Sequence, residues 1–186
     1  MGLLTDGISE VIATTANNAA PIGIRVRDGS ASMVLFCGSH TARNVERDGW
    51  VVANLIHDPV IYVQTAFEDL PSEMFVDEVV DGKTMQRLQG AGAWAAFSTV
   101  IERKTSEALM VRLTLKKEYI GEYRLHPVNR GFCSIIDATV HATRLKIRPD
   151  PELENLIAYH AGIVRKCGGR RELEALDLLM QYCQYG

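Results

Sequence analysis

The sequence predicts an antiparallel β-sheet or barrel followed by a helical tail. Over the first two thirds of the 186 residues, short apolar runs alternate with polar residues and are separated by tight turn signals, a pattern typical of strands that bury one face. In the last third, the apolar residues recur at helical spacing instead. Few helical patterns interrupt the strands, which favours an antiparallel arrangement over a parallel one.

Seven segments have the composition and the boundaries of strands. The first is rich in β-branched residues and ends at the turn pair Asn17-Asn18, and the second alternates apolar and polar positions before Asp28-Gly29, a pair typical of a hairpin turn. Pro59 interrupts pairing between the fourth and fifth segments. In order, the predicted strands cover residues 8–15, 22–26, 33–37, 51–56, 60–65, 94–102 and 108–115.

The last third predicts three amphipathic helices. The first begins near Asn129, a capping candidate, and stops at Arg148-Pro149. The second ends at Gly168-Gly169, a common C-terminal break, and the third carries an apolar stripe over residues 173–180. We therefore expect two domains, a β domain over residues 1–125 and a helical segment over residues 126–186.

The composition excludes several function classes. With 47% hydrophobic and 23% charged residues, the chain is neither disordered nor fibrous. A net charge of −3 provides no bulk attraction to nucleic acid or to an anionic membrane, and no apolar run is long enough to span a bilayer. The N-terminus does not have the pattern of a signal peptide. We expect a cytoplasmic protein that binds neither nucleic acid nor membrane.

The residues with metal-binding or catalytic chemistry form no recognisable motif. The four cysteines include no C-x-x-C pair, and the five histidines include no pair at metal-ligand spacing, so we expect no metal site. No nucleophile elbow, P-loop or carboxylate pair predicts a catalytic residue. Cys37, His141 and Arg144 have no assigned role at this stage.

The most informative segment is the run from Cys37 to Val45, in which polar residues follow the end of an apolar strand. Gly38 allows a sharp turn, after which a short helix is expected. The N–H groups at a helix N-terminus, joined by two hydroxyls, a histidine and an arginine, suit a phosphate dianion. The alternative is plain capping, with Ser39 or Thr41 as the N-cap and Arg43 in solvent.

A second segment, residues 17–23, suggests a place for a flat heterocycle. Pro21 lies inside a predicted strand and marks an edge or a break in pairing, where unpaired backbone N–H and C=O groups could bind a ring. The small side chains of Ala19, Ala20 and Gly23 would allow a close approach. The alternative is a turn followed by an ordinary edge strand.

These two segments, followed by Asn54 and Asp58-Pro59, resemble an uncharacterised domain-of-unknown-function family of archaea, methylotrophs and some planctomycetes. The similarity continues through Asn129-Arg130-Gly131 and residues 140–144, so it covers nearly the whole chain. Members of this family have the FMN-binding split-barrel fold of flavin reductases and pyridoxamine-phosphate oxidases. The resemblance implies an α+β, mainly β protein, an antiparallel six-stranded Greek-key split barrel with a C-terminal helical segment that packs on the barrel or on the dimer partner. It also implies a homodimer with FMN at the subunit interface.

The resemblance further implies which residues contact the cofactor. The phosphate and the ribityl chain would be held by Ser39, Thr41 and Asn44, with positive charge added by His40 or Arg43. The polar edge of the isoalloxazine would meet the backbone of Ala20, Pro21 and Ile22, and the following strand would place Asn54 near the ring.

The leading functional hypothesis is a flavin-reductase-like, FMN-dependent oxidoreductase of unknown substrate. Whether the protein is an enzyme stays open, because a non-catalytic FMN or pterin carrier or sensor would carry the same residues. A structural protein in which Ser39 and Thr41 are only caps is a third reading. Members of the family tend to occur together with tetrahydromethanopterin-linked one-carbon metabolism, which is a weak hint about the substrate. The electron donor and acceptor are not predicted.

Overall fold

Eight strands and five helices follow one another in the computed structural model, which describes residues 2–121 and 125–184. The strands are β1 (Gly7–Thr15), β2 (Asn18–Arg27), β3 (Ser30–Phe36), β4 (Trp50–Leu55), β5 (Phe75–Val80), β6 (Lys83–Leu88), β7 (Ala93–Lys104) and β8 (Ala108–Ile120). The helices are α1 (His40–Asp48), α2 (Pro59–Phe67), α3 (Arg130–Ile147), α4 (Pro151–Cys167) and α5 (Arg170–Gln184).

Six of the strands close into a barrel in the order β1-β2-β3-β8-β7-β4, and every neighbouring pair is antiparallel. Residues alternate between the two faces of each strand, as in β3, where Met33 and Leu35 are buried and Val34 and Phe36 are exposed. The inward residues form one apolar core together with Ala42 and Val45 of α1. The predicted fold class, a six-stranded antiparallel barrel with a helical segment after it, is confirmed.

A hairpin that the sequence reading passed over lies beside the barrel. Strands β5 and β6 form a separate two-stranded sheet joined by Asp81 and Gly82, whose φ angles are +49° and +75°. Two residues of positive φ make the turn that matches the twist of paired strands. Val80 and Met85 of the hairpin pack against the two tryptophans of the barrel, so the hairpin covers the outer surface of β4 and β7.

The prediction of a strand over residues 60–65 is wrong, because this segment forms α2. Asp58 caps the helix by accepting the N–H of Val60 at 3.0 Å, and Pro59 occupies the first helical position, where its missing N–H costs nothing. Val63 is fully buried in the core formed by the later helices. This packing outweighs the low helix propensity of the β-branched residues in the segment.

The three C-terminal helices that the sequence predicts are confirmed. They share an apolar core with α2, and α3 and α4 approach closely where a Cβ atom on Gly131 would lie only 2.6 Å from the Cα atom of Gly168. The chain thus divides into two compact units, one of Met1–Ile56 with Leu70–Arg124 and one of His57–Asp69 with Leu125–Gly186. The division at residue 125 into two domains stays a prediction. None of the helices in the described ranges is long and apolar enough to cross a membrane.

Candidate functional site

The barrel is incomplete along one edge of β2. Its first residues pair with β1, with Pro21 opposite Ile12, but β2 pairs with β3 only over Arg25–Arg27. Within residues 2–121 and 125–184, no strand pairs with the other edge of residues 18–24. The predicted ring-contact residues Ala20, Pro21 and Ile22 all lie in this part of β2 and are half-buried. Backbone hydrogen-bonding groups are therefore presented at this edge, as the proline suggested.

The segment after β3 forms the predicted short helix. Gly38 turns the chain with a φ of +85°, a value that glycine adopts without strain, and α1 starts at the next residue but one. Ser39 is the N-cap, because its side chain accepts the N–H of Ala42 at 3.1 Å. Of the two capping residues left open by the sequence, the structure therefore selects Ser39. This capping leaves the positive end of the helix dipole at the start of α1.

Two hydrogen-bonded side chains join α1 to the β1–β2 hairpin. Asn18, the first residue of β2, donates from Nδ2 to Oγ1 of Thr41 at 2.9 Å. Asn44, on the next turn of α1, donates from Nδ2 to Oγ1 of Thr15 at 3.0 Å and to the carbonyl oxygen of Ala16 at 2.9 Å. The two segments that the sequence singled out thus meet in space. Thr41 is only 3% exposed, so it contacts the hairpin far more than solvent.

The exposed polar side chains of α1 include His40 and Arg43 near its start and Glu46 and Arg47 near its end. Arg47 is paired with Asp48 at 2.6 Å, and the hydrogen bonds that it donates to this carboxylate raise the pKa of Arg47. Arg43 forms no ion pair with any residue in the described part of the chain. Its guanidinium is therefore the uncompensated cation of this helix.

Asn54 lies in the barrel wall, where its carboxamide is hydrogen-bonded on both sides. Its Nδ2 atom donates to the carbonyl oxygen of Ile12 at 2.9 Å and to Oγ1 of Thr14 at 3.0 Å, and its Oδ1 atom accepts the N–H of Leu88 at 2.8 Å. The side chain has no exposed surface. Asn54 therefore connects β4, β1 and β6, and its role as a ring contact stays a prediction.

Asn18 and Thr15 are the polar residues at this place that the sequence reading did not include among the site residues. Asn18 was noted as half of a turn pair and as part of the 17–23 segment but was given no ligand contact, although asparagine directly before an apolar strand is also a common source of local hydrogen bonds. Thr15 is 1% exposed and gave no signal, because a threonine in a β-branched run looks like any other strand residue.

The helical unit has polar groups of its own. Asp58 accepts two hydrogen bonds from Arg171, at 2.9 and 2.7 Å, in addition to capping α2. His141 and His160 lie with ring centroids 5.6 Å apart, and the Nδ1 atom of each is buried without a partner among the described residues. Burial lowers the pKa of His141, and the neighbouring imidazole and Arg144 lower it further.

The cavity of the helical unit is not lined by the predicted site residues. A cavity of about 890 Å³ lies between α2 and α5, lined by Val60, Leu173 and Leu178 and by two carboxylates. It contains none of the residues that the sequence assigns to a ligand. In the described ranges, no group of three or more histidine, cysteine, aspartate or glutamate side chains is arranged to hold a metal ion.

Comparison with known proteins gives matches over nearly the whole chain. The model described as the N-terminal domain of the protein of unknown function DUF447 matches residues 9–122, and the C-terminal DUF447 model matches residues 129–181. The uncharacterized protein MJ1453 of Methanocaldococcus jannaschii is 27% identical, with 94% of this chain and 97% of the relative covered.

Solved structures extend this similarity to the fold. The crystal structure of the FMN-bound DUF447 protein MM1853 of Methanosarcina mazei is 34% identical, with a TM-score of 0.91 and 96% of both chains covered. A protein of Shewanella frigidimarina described as a flavin reductase with a split barrel domain has a TM-score of 0.50 at 12% identity, with 64% of this chain and 70% of that chain covered. The second match shows the barrel fold alone.

Proposed function

Because this chain belongs to the DUF447 family and resembles an FMN-bound member of it over 96% of its length, we propose that it is a flavoprotein that binds FMN at the open edge of β2 and the start of α1. The observation that carries the proposal is the hydrogen bond between Asn18 and Thr41, 2.9 Å long. It places a free strand edge beside a helix N-terminus, and FMN has a flat polar ring at one end and a phosphate at the other.

The residues at this place fit the two ends of FMN. The unpaired edge of β2 carries backbone donors and acceptors for the polar edge of the isoalloxazine, and the small side chain of Ala20 leaves room for the ring. The start of α1 supplies backbone N–H groups and a positive dipole for the phosphate, and Arg43 supplies a full charge. His40, exposed on the same turn, adds a second group that can donate to an anion.

The polar side chains predicted to contact FMN differ in which of their atoms remain available for it. The Oγ atom of Ser39 accepts in the helix cap and keeps its hydroxyl hydrogen for a ligand oxygen, whereas both N–H groups of the Asn44 amide are used by Thr15 and Ala16. What Asn44 has left is its Oδ1 atom, an acceptor, which suits a ribityl hydroxyl and would repel a phosphate oxygen. We therefore assign Asn44 to the ribityl chain and Arg43 to the phosphate.

We propose an oxidoreductase activity of the flavin reductase type for the loaded protein. FMN, when bound, supplies hydride and electron transfer, and the chain binds the cofactor, orients it and limits the access of water. The electron donor is tested by mixing the FMN-loaded protein with NADH or NADPH under anaerobic conditions and recording the visible flavin absorbance. Bleaching at a useful rate supports the enzyme, whereas no bleaching with any reductant favours the carrier or sensor.

We also propose that the protein is a homodimer with FMN at the subunit interface. The outward face of β3, β7 and β8 presents four apolar side chains that are 45–66% exposed, namely Val34, Phe36, Val100 and Met110. Val34 lies directly opposite Met110 in the sheet, and Phe36 directly precedes the turn into α1. Val100 lies opposite Arg112, which is paired with Glu102, so the apolar patch proper is formed by Val34, Phe36 and Met110. An exposed apolar patch of this kind is typical of an interface between subunits.

The dimer is tested with Phe36→Glu, which places a charge at the most exposed apolar residue of this face. We expect the variant to sediment as a monomer and to bind FMN more weakly than the wild type. Val79→Glu is the matched control, because Val79 is 70% exposed but lies on β5, outside the barrel. A monomeric wild type at micromolar concentration would contradict the proposal.

The central experiment is a titration of FMN into the purified apoprotein, followed by flavin fluorescence. Riboflavin, which has the same ring and ribityl chain without the phosphate, is the matched control. We expect FMN to bind more tightly than riboflavin because the start of α1 and Arg43 contact only the phosphate. A protein that binds neither compound is not a flavoprotein, and the proposed function would then be wrong.

A further inference from the structure

The start of α1 is held against the barrel by a small network of carboxamide and hydroxyl groups. Its members are two asparagines and two threonines from β1, β2 and α1, joined by the 2.9 Å bond from Asn18 to Thr41 and the 3.0 Å bond from Asn44 to Thr15. A longer bond of 3.4 Å from Asn18 to Thr15 closes the network. It ties the first two turns of the helix to the end of β1 and to the beginning of β2.

The amide hydrogens of both asparagines in this network are all used in hydrogen bonds within the protein. The Nδ2 atom of Asn18 uses its two hydrogens on Thr41 and Thr15, and the Nδ2 atom of Asn44 uses its two on Thr15 and on the carbonyl oxygen of Ala16. The Oγ1 atom of Thr15 accepts from both asparagines, so both of its lone pairs are occupied. Thr15 is the common acceptor of the network.

Thr15 can act on a ligand only through its neighbours. Its exposed fraction is 1%, and it is the last residue of β1. The body of α1 is anchored separately, since Ala42 and Val45 belong to the apolar core of the barrel. Without the Thr15 hydroxyl, α1 would therefore remain packed on the barrel, but its first two turns would no longer be held in one orientation.

We propose that Thr15 and Asn18 are positioning residues that fix the distance between the start of α1 and the open edge of β2, and so match this distance to the length of FMN. The proposal rests on the proposed function. A ligand held at both ends binds tightly only if both contacts form without reorganisation of the protein. The phosphate contact depends on the first N–H groups of α1 and on Arg43, whereas the ribityl chain depends on α1 only through Asn44. A loosened helix should therefore weaken the binding of FMN more than that of riboflavin.

The test compares Thr15→Val with Thr15→Ser. Valine has the shape of threonine but accepts no hydrogen bond, whereas serine keeps the hydroxyl. FMN and riboflavin are titrated into each variant and into the wild type, and circular dichroism checks that each protein is folded. We expect Thr15→Val to weaken FMN binding by about tenfold while riboflavin binding changes much less, as for lost preorganisation at one end of a ligand. Thr15→Ser should restore most of the preference.

Each outcome decides between the readings. An unchanged ratio of FMN to riboflavin affinity in a folded Thr15→Val protein would overturn the proposal, and so would an equal loss of both affinities, which indicates general damage to the site. If Thr15→Val does not fold, Asn18→Ala, which removes the bonds to both threonines from a residue 6% exposed, is subject to the same comparison. A wild type that binds no flavin would refute the proposed function itself, which separates the two failures.

Discussion

Replacement of Asn54 by leucine should destabilise the barrel strongly while leaving its shape intact. Leucine branches at Cγ as asparagine does but is larger, and it satisfies none of the hydrogen bonds of asparagine. The N–H of Leu88, now bonded at 2.8 Å in a fully buried place, would lose its acceptor, which costs about 1–3 kcal/mol. The donated bonds to Ile12 and Thr14 contribute about 1 kcal/mol each, part of which the apolar leucine recovers. We expect a total loss of about 3 kcal/mol.

The assay is urea unfolding followed by circular dichroism, combined with hydrogen exchange at the Leu88 amide. The exchange of this amide should become faster in the variant, because it is held by the Asn54 carboxamide. Asn155→Leu is the control, since Asn155 is exposed on α4 and its replacement should change the free energy of unfolding by less than about 0.5 kcal/mol. A loss below about 1 kcal/mol for Asn54→Leu would refute the reasoning that its carboxamide is a structural link.

Three further changes test other parts of the molecule. Arg43→Gln should weaken FMN binding by about tenfold and leave riboflavin binding unchanged, as measured by flavin fluorescence, because a charge-assisted contact to the phosphate is lost. Asp58→Ala should lower the free energy of unfolding by about 1–2 kcal/mol, since it removes the cap of α2 and the ion pair with Arg171. Burial lowers the pKa values of His57 and His141, so these histidines bind protons more tightly in the unfolded chain than in the folded protein. The free energy of unfolding should therefore fall as the pH drops below about 6.5, as measured by unfolding curves at several pH values.

Each of these tests has a control or a contradicting result. Arg165→Gln on α4 should change neither flavin affinity, and an equal loss of FMN and riboflavin affinity in Arg43→Gln would show that the arginine does not bind the phosphate. Glu174→Ala removes one partner of Arg171 without touching the cap, so its effect should be smaller than that of Asp58→Ala. His141→Gln should reduce the loss of stability at low pH, and an unchanged pH profile would exclude this histidine as a contributor.

The sequence predicted most of the barrel because its strands are bounded by local signals, such as Asp28-Gly29. The same kind of signal was present at Asp81-Gly82, and the hairpin there could have been predicted from it. Residues 60–65 were predicted as a strand from their β-branched composition, although Asp58 and Pro59 have the spacing of a helix start. The choice of helix depends on packing against α3 and α5, more than 60 residues away in sequence, which no local pattern contains.

The candidate site was predictable in its two halves but not in their connection. The helix N-cap at Ser39 and the broken pairing at Pro21 follow from residue types and their neighbours. The bond between Asn18 and Thr41 joins residues 23 positions apart, and such a pair has no signature in one sequence. The structural role of Asn54 was hidden for the same reason, because its partners belong to two other strands.

The position of α2 in the chain affects the order in which the protein can assemble during synthesis. Its partners α3 and α5 are made last, at residues 130–147 and 170–184, so at about 5–20 residues per second the apolar side of α2 waits several seconds for them. Val63 is without its burial partners throughout this time. A ribosome that stalls within the last third, or a truncation there, leaves a finished barrel sequence with an uncovered apolar segment in its middle, which chaperones and proteases recognise.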